Sequence, residues 1–512
     1  MTKVDRSIRP ARDVSISSIQ RTRAQSLQIL IVDLNNFASF PTLAVGLLTA
    51  ALRDRGHRVD VLCPLAYDVP AVQRERRETW LDHVKRRLHL SDWGPTRPLR
   101  DALRGIHHDR VERCDPAVLR EARRALDTGY DAVLLSAYLQ HREAVSGIAR
   151  LARERGVPVL LGGPMFNLAE VAEAWRGTEG LSAVVGAEVD RDLPAIVEDL
   201  CEGRDLLRHP GVILPDGRRS DPAPPLRKLD GLLVPDFTDF PWDRYPVRIV
   251  PVMTGRGCQW DKCAFCSDVI SASGRTFRTR SVDAVLLEME EQARRHDTAN
   301  FLFLDLKLNS WPDMMRGIGR GLPRLVRGAE WVGTVHVDRR KDNGLSREDL
   351  QMAVDGGMRR VSFGLESGSQ RLLDAMNKGA SVERNSQFIR DAHAAGLSIR
   401  CTMFKGFPGE TTGDMEATAD FLEAHAPFLD RVRFNDFTLH TGTPIWRAMQ
   451  EKAEGAPFVL GARQDHAART PYRRAVGADR AYRRAKARAL AVVYDINRQR
   501  LRDAARQFDG LM

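Results

Sequence analysis

Cysteine is scarce in this chain of 512 residues, and its distribution argues against a disulfide-stabilised secreted domain. Only seven cysteines are present, and four of them stand far apart in sequence: Cys63, Cys114, Cys201 and Cys401. Isolated thiols of this kind are typical of proteins from a reducing compartment. A cytoplasmic location is therefore expected.

Long hydrophobic runs and internal repeats are also missing. No stretch is long enough to cross a bilayer, so no membrane partner is expected. No repeat of solenoid length is present, which argues against a repeat array. Residues 1–26 mix Arg, Ser and Asp without an apolar core, and they are predicted to form a disordered basic tail.

Basic residues exceed acidic ones, giving a formal net charge of +10. Much of the excess lies between Tyr472 and Arg488, in a stretch predicted to be a basic helix with one apolar face. One interpretation is a helix that packs on the rest of the protein. The other is recognition of an anionic peptide, a phosphorylated or carrier-bound substrate, or RNA. Because no RNA-recognition signature is present, a nucleic-acid partner is not expected.

The other three cysteines, Cys258, Cys263 and Cys266, lie in the run Gly255-Arg-Gly-Cys-Gln-Trp-Asp-Lys-Cys-Ala-Phe-Cys-Ser267. A structural zinc site needs four ligands, but no fourth cysteine is near and the next histidine is the distant His296. Three thiolates on one short loop suit a [4Fe–4S] cluster with one iron left open for a substrate or cofactor. These cysteines are therefore predicted to be metal ligands.

Apolar strand-like runs alternate with amphipathic helical patterns in both halves of the chain, which predicts an α/β fold with parallel sheets. In the first half, small residues end the strands, as in doubly wound sheets that bind ligands at the carboxyl edge. The first-half strands are predicted at 27–33, 57–62, 132–136, 158–164 and 183–188. The second-half strands are predicted at 249–253, 300–306, 331–337, 360–365, 398–404 and 431–439.

Composition shifts predict the domain organisation. The first domain is expected over 27–220, with a charged, mostly helical insertion at about 65–130. A proline-rich linker is expected over 221–246. The second domain is expected over 247–446, followed by a basic helical region over 447–512.

Four further segments accompany the cysteine loop: Phe363-Gly-Leu-Glu-Ser-Gly-Ser369, Met376-Asn-Lys-Gly379, Gly406-Phe-Pro-Gly-Glu-Thr411 and His440-Thr-Gly-Thr-Pro444. Together with that loop, they resemble the cobalamin-binding branch of the radical S-adenosylmethionine (SAM) enzymes. The sequence departs from the family at two places. Four residues separate the first two cysteines where three are usual, and Thr441 replaces a proline.

The resemblance implies a Rossmann-like cobalamin-binding domain, a partial (β/α)6 radical SAM barrel and a helical C-terminal extension. The implied cofactors are a [4Fe–4S] cluster, SAM and cobalamin. It assigns these residues to SAM: Phe265, Glu366, Gly406 and Phe407. Asp305 is a further SAM candidate, because it is an acid that ends an apolar strand and is placed to face the barrel mouth. The resemblance assigns these residues to the corrin: Ser136, Tyr138, Gly162, Gly163 and Gly186.

Catalytic side chains are not identified by the resemblance, and His336 and Asp338, at the end of the third barrel strand, are only candidates. No Asp-x-His-x-x-Gly motif is present, so a histidine ligand to cobalt is not predicted. His141 is expected to be a surface helix residue rather than such a ligand.

The activity implied by the resemblance is methylation of an unactivated carbon of a small molecule or peptide, with flavodoxin or ferredoxin as electron donor. One alternative is a radical SAM rearrangement, cyclisation or oxidation without methyl transfer. The other is a non-catalytic cobalamin-binding sensor. A methylthiotransferase is disfavoured because the scattered cysteines do not form a second cluster motif.

Overall fold

The computed structural model describes residues 26–34, 39–64, 77–267, 277–451, 458–474 and 479–511. Two six-stranded sheets dominate this part of the chain. The predicted tail over 1–26 lies almost entirely outside the described residues.

The first sheet has the strand order β2-β1-β3-β4-β5-β6. All neighbouring pairs are parallel except β5 and β6, which run antiparallel. The reversal of order at β1 and β3 is the topology of an open doubly wound sheet. Its strands are β1 (Gln28–Asp33), β2 (Arg58–Leu62), β3 (Ala132–Ser136), β4 (Val159–Gly162), β5 (Ala183–Val185) and β6 (Val212–Ile213).

In the described part of this half, seven helices accompany the sheet: α1 (Leu43–Asp54), α2 (Trp80–His89), α3 (Arg97–Glu112), α4 (Pro116–Asp127), α5 (Arg142–Arg153), α6 (Ala169–Arg176) and α7 (Leu193–Cys201). Helices α2, α3 and α4 form the described part of the predicted insertion. Residues 65–76 of the insertion lie outside the described residues.

The second sheet contains six strands in the order β14-β13-β12-β11-β10-β7, all of them parallel. Consecutive strands are neighbours and are joined by helices, which is the topology of a partial (β/α)6 barrel. Its strands are β7 (Val250–Val252), β10 (Asn300–Phe303), β11 (Glu330–Val335), β12 (Met358–Glu366), β13 (Ser398–Lys405) and β14 (Arg431–Asp436). A short ribbon, β8 (Gly255–Arg256) with β9 (Arg278–Thr279), flanks the cysteine loop.

The helices of this half are α8 (Val282–His296), α9 (Pro312–Leu325), α10 (Arg347–Asp355), α11 (Gln370–Ala375), α12 (Val382–Ala394), α13 (Thr412–His425) and α14 (Pro444–Glu451). Buried residues of both sheets belong to one apolar core, which includes Ile31 of β1 and Phe303 of β10. The two halves therefore share packing and not only a covalent connection.

The predicted linker contributes to that core. Phe237, Phe240 and Tyr245 are buried in it. Gly46 of α1 lies against Phe237, and a Cβ at Gly46 would come within 2.3 Å of the phenylalanine ring. The proline-rich segment thus packs against the first domain, because its aromatic residues supply apolar area that would be costly to expose.

The C-terminal region contains a short hairpin that was not predicted, in addition to its helix. An antiparallel hairpin of β15 (Phe458–Leu460) and β16 (Tyr472–Arg474) precedes α15 (Arg480–Asn497). The hairpin was missed because its strands are only three residues long, too short for an alternating pattern. Among the described residues, no helix is long and apolar enough to span a bilayer.

Candidate functional site

The cysteine loop follows β7 and lies at the carboxyl end of the barrel strands. All three cysteines are partly buried, and the backbone N–H of Cys266 donates to the carbonyl of Cys263 at 3.3 Å. Two backbone hydrogen bonds fix the loop through Ala264. Its N–H donates to the Met376 carbonyl and its own carbonyl accepts from the Ile445 N–H, both at 2.9 Å.

The longer spacing between the first two cysteines places Trp260 against the segment that follows β12. The Trp260 indole Nε1 donates to the Asn377 carbonyl at 2.8 Å. A Cβ at Gly379 would come within 2.2 Å of the Trp260 ring, and Gly379 has a φ of +67°. Asp261 adopts a φ of +42°, which turns the chain back toward Cys263. The loop therefore accommodates the additional residue in a turn at Trp260 and Asp261, and this turn packs against Asn377 and Gly379.

Lys378 is the buried cation nearest this loop. Its Nζ lies 2.8 Å from Glu366 Oε1 and 5.7 Å from the centre of the Phe265 ring. Burial would lower the pKa of Lys378, but the charges of Glu366, Cys263 and Cys266 outweigh burial and raise it. Lys378 is therefore a fixed positive charge beside two of the three thiols.

The donor set fits a [4Fe–4S] cluster. Burial raises the pKa of the Cys263 thiol, and the charge of Lys378 opposes that rise. Within the described residues, no three His, Cys, Asp or Glu side chains converge on one metal ion. A cubane does not require such convergence, since each thiolate binds a different iron.

Glu366 ends β12 with a φ of +60°, a left-handed conformation that turns its carboxylate toward Lys378. A β-bulge between Gly364 and Glu366 accompanies this turn. The side chain is largely buried. The predicted SAM-binding carboxylate is thus paired with Lys378, and Lys378 lies beside the cysteine loop.

Asp305 follows β10, and its carboxylate receives hydrogen bonds from the strand end that leads into the cysteine loop. The Thr254 N–H donates at 3.1 Å, the Thr254 hydroxyl at 2.7 Å and the Gly255 N–H at 2.9 Å. Burial raises the pKa of Asp305 to about 6, although these hydrogen bonds favour the charged form. Asp305 therefore supports the loop. Its assignment to SAM stays a prediction.

The turn after β13 holds Gly406 and Phe407. Gly406 has a φ of +87°, and its N–H donates to Glu410 Oε2 at 2.7 Å. Phe407 is fully buried against Phe404 and Phe437, with ring centres 6.5 and 5.3 Å apart. Phe265 packs on Phe404 with ring centres 5.2 Å apart. The cysteine loop and this turn therefore share one aromatic cluster.

His336 and Asp338 differ in the polar contacts that their side chains make. Asp338 is completely buried and pairs with Lys307 and with Arg340, whose Nε lies 3.0 Å from Asp338 Oδ2. His336 is buried with its ring centre 6.3 Å from that of Trp260. Burial, together with Lys378 and Lys307, lowers its pKa well below the usual value, so the ring is neutral near pH 7. Its Nε2 atom has no hydrogen-bond partner in the described part of the chain.

The carboxyl edge of the first sheet brings together the five residues assigned to the corrin. Ser136 and Gly162 are direct neighbours in the β3–β4 register. A Cβ at Gly162 would meet only the Val185 carbonyl at 3.8 Å, so this position has free space. Cβ atoms at Gly163 and Gly186 would come within 2.1 Å of the Ala137 carbonyl and 2.2 Å of the Phe166 carbonyl. These two glycines are needed by the fold itself.

Tyr138 is exposed at this edge, whereas the nearby His141 is buried. The prediction that His141 lies on a helix surface is therefore wrong. Burial lowers its pKa to about 4. The Tyr138 N–H donates to His141 Nδ1 at 3.2 Å, so this histidine orders the loop after β3.

Two arginines connect the cysteine loop to the first sheet. Arg256, two residues before Cys258, donates to both carboxylate oxygens of Asp190 at 2.7 and 2.8 Å. Arg278 pairs in the same way with Glu188 at 2.7 and 2.9 Å. Both acidic residues follow β5, close to Gly186. The candidate corrin edge and the candidate cluster loop thus lie beside each other.

Residues 252–422 match the family model of the radical SAM superfamily. This match confirms the predicted resemblance of the barrel to radical SAM enzymes, and it supports a [4Fe–4S] cluster and SAM as cofactors.

The chain is also similar to curated and solved proteins beyond the matched segment. It is 28% identical to an uncharacterized methyltransferase of Pyrococcus horikoshii, over 58% of this chain and 65% of that protein. It is 23% identical to the bacteriochlorophyllide d C-12(1)-methyltransferase of Chlorobaculum tepidum, over 64% of this chain and 67% of that protein. The chain thus spans about two thirds of the length of these relatives.

The solved structure of the radical SAM methyltransferase TsrM from Kitasatospora setae, with cobalamin and a [4Fe–4S] cluster bound, has the same fold. The TM-score is 0.59 at 20% identity, and the match covers 86% of this chain and 81% of TsrM. The fold-class prediction, a Rossmann-like domain followed by a partial barrel, is confirmed.

Sequence reasoning missed several residues of this candidate site. Lys378 lies in the segment Met376-Asn-Lys-Gly379, but the sequence analysis gave its side chain no role. Its place in that segment was the only sequence signal for it. The pairs Arg256–Asp190 and Arg278–Glu188 carried no signal, because the partners are far apart in sequence.

Proposed function

We propose that this protein is a cobalamin-dependent radical SAM methyltransferase that methylates an unactivated carbon. The observation that carries the proposal is the pairing of Arg256 with Asp190, which ties the cysteine loop to the carboxyl edge of the Rossmann-like sheet. A radical generated at the loop and a methyl donor held at that edge would then share one cavity between the domains.

The residues on the loop side have defined tasks in this proposal. Cys258, Cys263 and Cys266 would bind the cluster, and Lys378 would hold Glu366 in place for SAM. Asp305 would fix the strand end before the loop through Thr254. When bound, the cluster and SAM supply a 5′-deoxyadenosyl radical, and cobalamin supplies a transferable methyl group.

The residues on the first-sheet side would form the corrin site. The free space at Gly162 suits close approach of a large planar ligand, and Ser136 lies beside it in the register. Tyr138 is exposed at the same edge and would cover the ligand. The names of the two curated relatives and of TsrM support the methyltransferase assignment.

The acceptor is proposed to be a small molecule or peptide, with flavodoxin or ferredoxin as the electron donor. The neutral ring of His336, whose Nε2 lacks a partner among the described residues, faces Trp260 and is proposed to contact the acceptor. Asp338 is committed to Lys307 and Arg340 and is proposed to keep the strand end rigid.

The test is anaerobic reconstitution with iron, sulfide and hydroxocobalamin, followed by desalting, metal analysis and incubation with SAM and dithionite. We expect about four irons and about one cobalt per chain, together with 5′-deoxyadenosine formation. Cys263→Ala should lose iron and SAM cleavage, whereas Cys114→Ala at an isolated thiol should retain both.

Two outcomes would overturn parts of the proposal. Iron and SAM cleavage without bound cobalt would leave a radical SAM enzyme that transfers no methyl group from cobalamin. Cobalt without iron or SAM cleavage would instead indicate a non-catalytic cobalamin-binding protein.

A further inference from the structure

Helix α15 (Arg480–Asn497) lies outside the matched barrel segment, yet its Tyr482 contacts Glu410 in the turn after β13. It packs along α13 and β14. Tyr482 and Lys486 are one helical turn apart and are 3% and 5% exposed. Tyr482 contacts Glu410 in the turn after β13, and Lys486 contacts Asp92, which pairs with Lys405 at the end of that strand.

Tyr482 acts on the Gly406 turn through Glu410. The Tyr482 hydroxyl donates to Glu410 Oε2 at 2.7 Å, and the same oxygen accepts from the Gly406 N–H at 2.7 Å. Glu410 is 8% exposed, so little water competes for its carboxylate. Hydrogen bonds to a buried charged group are stronger than neutral ones. The Tyr482 hydroxyl therefore holds the Glu410 carboxylate in place, and that carboxylate holds the Gly406 N–H.

Lys486 acts on the residue before the turn through Asp92. Its ammonium group contacts the Asp92 carboxylate and donates to the Leu90 carbonyl at 2.5 Å. Asp92 also lies 3.0 Å from Lys405 Nζ, and Lys405 lies 2.6 Å from Asp436. Residues from the helical insertion, the barrel and α15 thus hold the end of β13 in one buried network.

The hairpin supplies a third contact. The Tyr472 hydroxyl of β16 donates to the Gly406 carbonyl. The Tyr472 ring packs on Phe437 with centres 6.0 Å apart. Both backbone polar groups of Gly406 are therefore bound by side chains, one by Glu410 and the other by Tyr472.

We propose that Tyr482, with Glu410 and Tyr472, positions the Gly406 turn for SAM, so that the C-terminal region is part of the SAM site. This inference rests on the proposed function, because that proposal assigns Gly406 and Phe407 to SAM. Loss of the Tyr482 hydroxyl leaves the Glu410 carboxylate short of one donor and loosens its hold on the Gly406 N–H.

The experiment measures SAM affinity in the reconstituted full-length protein. Tyr482→Phe removes one oxygen and keeps the ring, and Glu410→Gln keeps the shape but removes the charge. We expect both variants to bind SAM about tenfold more weakly, because charged hydrogen bonds contribute at least that factor. KM for SAM should rise while kcat for SAM cleavage and iron content stay close to wild type.

Arg488→Ala is the matched control. Arg488 also anchors α15 to α13, through Asp420 and through Glu423 at 2.9 Å, but it does not contact the Gly406 turn. We expect Arg488→Ala to leave SAM affinity unchanged. A merely structural helix would predict that all three substitutions lower thermal stability without changing KM.

The outcomes separate this inference from the proposed function. Wild-type SAM affinity in Tyr482→Phe and Glu410→Gln would overturn the positioning role while leaving the radical SAM enzyme intact. Absence of SAM binding in the reconstituted wild type would overturn the proposed function. If Tyr482→Phe failed to fold, Glu410→Gln would still decide between these results.

Discussion

Lys378 and Glu366 form a buried ion pair, with Nζ 2.8 Å from Oε1, beside the cysteine loop. Their side chains are 10% and 8% exposed. The pair joins the end of β12 to the segment after α11, and Lys378 also faces the Phe265 ring. This ion pair thus joins two motifs that are separate in sequence, the one that contains Glu366 and the one that contains Lys378.

Lys378→Met should destabilise the barrel by about 3–5 kcal/mol, because the substitution leaves the Glu366 carboxylate buried without its partner. The loss should appear as a lower urea midpoint and reduced iron retention. Lys341→Met, at an exposed lysine, is the control and should behave as wild type. An unchanged urea midpoint in Lys378→Met would contradict the structural role of the pair.

The Arg256–Asp190 pair should couple the two domains. Arg256→Asp alone should lower the thermal midpoint and cobalamin retention, since it places two carboxylates together in a largely buried site. Combining it with Asp190→Arg should recover part of the loss, with a coupling energy of about 0.5–3 kcal/mol. Purely additive effects of the two substitutions would show that the residues do not interact.

Gly379→Ala should displace Trp260, because the new Cβ would lie 2.2 Å from the indole ring. We expect lower iron content and lower stability. Gly396→Ala is the control for backbone strain: its φ is +98°, but a Cβ there meets nothing within 4 Å. Adding Trp260→Ala to Gly379→Ala should remove the clash and recover part of the stability. Equal losses in the Gly379→Ala and Gly396→Ala variants would rule out the docking of Trp260.

Asp305 should make stability depend on pH. Its pKa is raised from 3.8 to about 6, so the folded protein binds this proton more tightly than the unfolded chain. Its contribution to stability is therefore present below about pH 4 and is lost as pH rises through 6. The stability of Asp305→Asn relative to wild type should improve between pH 5 and pH 7.

Thermal unfolding across that pH range measures this effect. Asp313→Asn, at an exposed carboxylate, should show no such trend. A constant difference between Asp305→Asn and wild type from pH 5 to pH 7 would mean that Asp305 does not titrate in this window.

Gly162 is the position at which to test the corrin site. Gly162→Val should fold, because a Cβ there has space, but it should reduce the cobalt retained after desalting. Gly163→Val should instead impair folding, since its Cβ would lie 2.1 Å from the Ala137 carbonyl. Wild-type cobalt content in Gly162→Val would show that the corrin does not bind against Gly162.

Much of the fold could be predicted from the sequence. Each of the two domains has a periodic hydrophobic pattern, and a buried parallel strand needs only a short apolar run. Segments such as 132–136 therefore coincide with the observed β3 (Ala132–Ser136). The candidate cysteine loop could also be located, because its three cysteines lie in one short segment of the sequence.

Other features depended on contacts that no local pattern encodes. The antiparallel β6 has two residues, and the C-terminal hairpin has strands of three. The burial of His141 follows from the packing around the loop after β3, while its neighbour Tyr138 is exposed.

The sequence by itself determined the two α/β domains, the cysteine loop and the glycine-rich turns, because each is written in contiguous residues. The tertiary structure alone decided which polar side chains meet: Lys378 with Glu366, Arg256 with Asp190, and Tyr482 with Glu410. A hydrogen bond or contact ion pair forms only between groups about 3 Å apart, so its partner depends on how distant segments pack. That packing joined the C-terminal helix to the turn at Gly406.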